Sequence, residues 1–166
     1  MQTQILIGIG ALIIVIALIW FFIWHRKNNK EEFDNSEALL SAIVNMDEQR
    51  FRSLLQEKNT DINKVNKDGW TPLYFICSGV HHNYDTRLLD ALLEQENIKI
   101  NKVNKDGETP LYTACENGHE NIVMCLLENK NIKINKATNK NETPLSIATL
   151  MDHNVIAAIL KEKGAK

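Results

Sequence analysis

Thr-Pro-Leu occurs three times in this chain, at residues 71–73, 109–111 and 143–145, at spacings of 38 and 34. Each copy opens a unit of the same kind, and the middle one, Asp106–His119, is the most regular. Asp106-Gly107 is a turn signal, because glycine tolerates positive φ and aspartate bonds its own backbone. Thr109 is a good N-cap, and Pro110 at the first helical position gives up only an N–H that would be orphaned anyway. Leu111, Ala114 and Cys115 then fall on one face of a short helix, and Gly118 stops it. Such a unit is too small to bury its own apolar face, so it must stack on copies of itself.

The copies extend beyond Thr-Pro-Leu. Each is followed by a second apolar cluster: Leu88-Leu89 with Leu92-Leu93, Ile122-Val123 with Leu126-Leu127, and Val155-Ile156 with Ile159-Leu160. These doublets have the spacing of a second, one-sided helix. The pieces Asp61-Ile-Asn-Lys-Val-Asn, Lys99-Ile-Asn-Lys-Val-Asn and Lys133-Ile-Asn-Lys-Ala-Thr link the units. With a period near 33 and a T-P-L-H-x-A core as the family signature, the chain resembles ankyrin repeats over roughly residues 34–166. Tyr74, Tyr112 and Ser146 stand where the family has histidine. The usual Thr–His hydrogen bond at the hairpin base is therefore not carried over, although the fold is.

The resemblance implies an all-α solenoid of about four helix-turn-helix units with short β-hairpin loops. Residues 34–66 read as a degenerate N-terminal cap, which has Asp34, Asn35 and Ser36 as N-cap choices but lacks Thr-Pro-Leu. Terminal repeats are expected to be atypical, since one face meets water. Residues 67–104 form a unit with four extra residues near His82–Arg87, between its helices. That insertion has two readings, a functional loop or simple drift in length. Residues 105–138 are the regular unit. Residues 139–166 form a C-terminal cap in which Asn141 replaces the turn glycine.

In front of the array, residues 5–24 read ILIGIGALIIVIALIWFFIW, and the first 24 residues carry no charged side chain. A helix of this length spans roughly 30 Å, the thickness of a bilayer core. Trp20, Phe21, Phe22 and Trp24 mark an interface, and His25, Arg26, Lys27 and Lys30 follow. A cleaved signal peptide fits worse, because there is no basic n-region and the apolar run exceeds the usual length of about 7–15. The expectation is a single-pass membrane protein. Residues 1–4 form a short tail outside, and 25–33 form a basic and polar linker. The positive-inside rule places the repeats in the cytoplasm.

No catalytic set is legible. Cys77 and Cys115 occupy matching helix positions and, with Cys125, read as core thiols of a reducing compartment. His81, His119 and His153 each follow a repeat threonine by ten residues, which argues for a loop or cap role in every unit. The pair His81-His82, even with Asp85, lacks a convincing metal-ligand spacing. There is no phosphate loop, and a net charge of −2 gives no nucleic-acid footprint. No enzyme activity, cofactor, metal, nucleic acid or small-molecule substrate is expected.

What remains is a surface for a protein partner. By resemblance, the exposed variable positions flank the tips and end the first helices. They are Lys67, Asp68, Trp70, Ser78 and Gly79 in one unit, and Lys105, Asp106, Glu108, Glu116 and Asn117 in the next. In the last unit they are Asn139, Lys140, Glu142, Leu150 and Met151. Trp70 has two readings, partner contact or packing against a neighbouring tip. Leu150 and Met151 face a partner or lie under the C-terminal end. The function expected is non-catalytic recognition by a scaffold or adaptor at the cytoplasmic membrane face. The alternative is an accessory or regulatory subunit of a membrane enzyme or transporter.

Overall fold

A computed structural model describes residues 35–79 and 86–166. The tail 1–4, the apolar span 5–24, the linker 25–33, the pair His81-His82 and Asp85 lie outside the described residues. Of the insertion His82–Arg87, only Thr86 and Arg87 are described, as the N-cap and first residue of a helix.

The described residues form α1 (Ser36–Val44), α2 (Glu48–Leu55), α3 (Pro72–Cys77), α4 (Arg87–Leu93), α5 (Pro110–Glu116), α6 (Glu120–Leu127), α7 (Pro144–Leu150) and α8 (Asn154–Glu162). Helices this short do not hold in water alone. Each pairs with its successor, α1 with α2 through α7 with α8. The first helices of the pairs stack in one row, α1 on α3, α3 on α5 and α5 on α7. In the second row α2 meets α4 and α6 meets α8. The core runs continuously between the rows, from Leu39 and Phe51 through Leu89, Leu111 and Val123 to Ile156 and Leu160. None of the described helices is long and apolar enough to cross a membrane.

Local chemistry sets the helix starts. Thr71 Oγ1 accepts the Tyr74 N–H at 3.1 Å, Thr109 accepts that of Tyr112 at 3.1 Å, and Thr143 that of Ser146 at 3.2 Å. A proline follows each threonine at the first helical positions. In the first pair the cap is worn: Asn35 makes no side-chain cap bond, whereas Asp47 caps α2. The first helices end in left-handed residues, Met46, Gly79, Gly118 and Asp152. Gly118, at φ +74°, is also sterically required. A Cβ there would lie 2.5 Å from the His153 ring.

The two described histidines are structural. His119 and His153 are the N-cap residues of α6 and α8. The His153 Nε2 lies 3.0 Å from the Glu116 carbonyl of the preceding unit. The His119 ring lies against Gly79, as the His153 ring does against Gly118.

The expected β-hairpins are not formed, and no strand occurs among the described residues. Each tip has a turn bond within it, Gly69 N–H to Asn66 O, Gly107 to Asn104 and Asn141 to Thr138, and a single backbone bond across its base: Asn66 N–H to Trp70 O at 3.0 Å, Asn104 to Glu108 at 3.1 Å, and Thr138 to Glu142 at 2.9 Å. The return bond that would make a ladder goes instead to a side chain. Asn66 Oδ1 accepts the Trp70 N–H and Asn104 Oδ1 accepts that of Glu108. Thr138 Oγ1 takes that of Glu142. Asx and ST turns of this kind compete with strand pairing.

Candidate protein-binding surface

The same side-chain turns hold the tips rigid and push their other residues outward. Lys67, Asp68, Lys105, Asp106, Asn139 and Lys140 are all exposed. The second and third tips touch, with the Asn139 N–H donating to Asp106 O at 3.0 Å and its Nδ2 to Lys105 O at 3.0 Å. Lys67 and Asp68 also border a cleft of about 330 Å³ against Ser36, Glu37 and Leu40 of α1.

Trp70 is half-buried. Its ring lies 5.1 Å from that of Tyr74 and 5.5 Å from that of Phe75, the second contact edge-on. It thus packs on its own unit's first helix, where the sequence had offered a neighbouring tip. Ser78 is also turned inward, its hydroxyl donating to Phe75 O at 2.8 Å.

Glu108 and Glu142 occupy the tip position of Trp70 in the next two units. Both are half-buried and held from one unit back. The Tyr74 hydroxyl donates to Glu108 Oε2 at 2.8 Å, and Asn104 Nδ2 donates to the same oxygen at 2.7 Å. The Tyr112 hydroxyl donates to Glu142 at 3.1 Å. Tyrosine therefore does a different job from the family's histidine: the backbone N–H serves the threonine cap and the hydroxyl reaches the next tip. Burial, reinforced by the bond to Glu108, pushes the Tyr74 hydroxyl up to about 12. Tyr112 is raised by burial and then by Glu142.

Glu116, at the end of α5, completes a negative region. Its carboxyl is raised above the ordinary value by partial burial and then by the charges of Glu108 and Glu142, while Lys140 pulls it down. Next to it, the exposed Asn117 is tied to Thr113 O at 2.9 Å. One unit on, the positions of Glu116 and Asn117 hold Leu150, 70 % exposed, and Met151, 45 % exposed. The C-terminal end does not cover them. The surface thus changes from aromatic at Trp70 and Phe75, through carboxylates, to bare aliphatic side chains.

The tyrosines were missed as surface-forming residues by the sequence reading. Writing the units in register would have shown Tyr74 and Tyr112 each in the unit before one whose tip carries a glutamate. Burial raises all three thiols, Cys77 strongly, Cys115 to about 12, and Cys125 in the same direction. Among the described residues no cluster of histidine, cysteine and carboxylate side chains could hold a metal ion.

Comparison with curated proteins finds no match to this chain. Comparison with family models matches residues 75–166 to ankyrin repeats, in three copies. The match starts inside α3, so the α1–α2 pair precedes it. Ankyrin repeats generally mediate protein–protein interaction, and on this match over more than half its length the chain belongs to the ankyrin repeat family.

Proposed function

We propose that this protein is a non-catalytic recognition module held at a membrane, with its repeats in the cytoplasm. The observation that carries the recognition role is the graded surface. Glu108, Glu116 and Glu142 gather three carboxylates whose repulsion a cationic partner would relieve, and Leu150 and Met151 offer apolar area beside them. Exposed aliphatic side chains gain free energy when a partner covers them, at about 25 cal/mol per Å². The anchor rests on residues 5–24, and the orientation rests on the basic residues that follow them.

Protease added to sealed cells tests the second half of this reading. The repeat array should survive until the membrane is opened. Digestion from outside would overturn the orientation, and release of the chain by alkaline washing would overturn the anchor. A partner that still co-purifies after removal of residues 34–166 would move recognition to the membrane span.

A further inference from the structure

Charge along this chain is sorted by position within the repeat. The three segments that join one unit to the next, residues 58–66, 96–104 and 130–138, contain seven lysines and two carboxylates, Asp61 and Glu96. The chain as a whole has a net charge of −2, so the remainder is acidic. The segments are stacked by an asparagine ladder. Asn63 Nδ2 donates to Asn97 O at 2.9 Å while its Oδ1 accepts the Lys99 N–H at 2.8 Å. Asn101 repeats this with Asn131 O at 2.7 Å and the Lys133 N–H at 2.8 Å. Lys102 Nζ reaches back to Asn63 O at 2.6 Å. Equivalent lysines of successive segments are therefore neighbours, Lys99 beside Lys133, and Lys64, Lys102 and Lys136 in a second file.

This edge is mixed in character. Ile62 and Ile100 point into the core. Lys99, Lys133 and Lys136 are exposed, and among the described residues their side chains form no ion pair. Between the lysines stand Val65 and Val103, 40 % and 37 % exposed. Stacked like charges repel, and among the described residues no carboxylate pairs with Lys99, Lys133 or Lys136. No aromatic residue occurs in the three segments, so there is no platform for stacking nucleic-acid bases.

We infer that this lysine edge is a second contact surface and that it lies on the anionic headgroups of the bilayer. Lysines gain favourable energy within a Debye length of an anionic leaflet, and small apolar side chains between them settle into the headgroup boundary. The inference rests on the membrane anchor proposed above. The ten residues between Trp24 and Asn35 span at most about 35 Å, which keeps the edge within reach of the surface. At that effective concentration a weak contact suffices. The contact would fix how the array stands on the membrane and so which face is offered to a partner.

Amine acetylation of the full chain in nanodiscs tests this. The nanodiscs are made of phosphatidylcholine alone or with phosphatidylserine added. Lys99, Lys133 and Lys136 should react several-fold more slowly on the anionic nanodiscs, while Lys161 and Lys163 at the end of α8 react equally on both. High salt should abolish the difference. Combined K99Q, K133Q and K136Q substitutions should release the edge, seen as fast acetylation of the exposed Lys130 on anionic discs. On vesicles, the loss should be roughly fivefold in affinity per lysine. Equal rates on both nanodiscs would overturn the inference, and so would protection that only RNA produces. A chain that does not stay with the nanodiscs would refute the anchor instead. The same footprint on vesicles of both compositions would then decide the edge by itself.

Discussion

Glu116 shows how a single side chain reports on this surface. Its carboxyl binds a proton more tightly in the folded protein than in the unfolded chain, because of burial and then Glu108 and Glu142. Folding is therefore penalised above the folded pKa, and the penalty fades as pH falls through that pKa towards the unfolded value. Glu116→Gln should raise the melting temperature at neutral pH, by the equivalent of about 0.5 kcal/mol for a solvent-screened group. The gain should vanish below the ordinary carboxyl value of 4.5. The backbone carbonyl of residue 116, which faces His153, is untouched by the change. A variant less stable than the parent at neutral pH would mean that no such repulsion exists. Residues of this scale divide sharply in how legible they were. The threonine caps, the proline starts and the left-handed Gly118 and Asn141 could be read off because each depends only on its chain neighbours. Trp70 could not, since its exposure depends on where its own helix places Tyr74 and Phe75. The tyrosine-to-glutamate bonds were hidden for a related reason, since each joins residues 34 or 30 positions apart.

At the scale of elements, the helix pairs were legible and the tips were not. A Thr-Pro start, a one-sided apolar face and a glycine stop leave little freedom. The tips were expected as hairpins by family resemblance, and a single asparagine or threonine in each redirects the bond that a ladder needs. The asparagine ladder is the tie between elements that the repeated Ile-Asn-Lys encodes. Asn101→Ala removes both of its bonds to the next segment and should cost about 1–2 kcal/mol in denaturant unfolding. Asn101→Asp keeps the acceptor for the Lys133 N–H and loses only the donor, so its loss should fall between the two. Wild-type stability in the alanine variant would show that the segments stack without the ladder.

For the molecule as a whole, stability is a sum over neighbouring pairs, because each unit touches only the next. That economy leaves the surface free to vary, and it varies in one direction: aromatic at Trp70, acidic at Glu108, Glu116 and Glu142, aliphatic at Leu150 and Met151. The lysine edge adds a second polarity, set by position within the repeat. On the function proposed above, such an array would rest one edge on a membrane and offer its graded face to a protein. Photo-crosslinking in native membranes tests that face most directly. A photoreactive amino acid is placed at Lys105 or Leu150 of the full chain, with Lys161 on α8 as the control position. The account expects a discrete adduct of the same partner from Lys105 and Leu150, lost when Glu116 and Glu142 are both changed to lysine, and none from Lys161. The same adducts from all three positions, or none from Lys105 and Leu150, would contradict it.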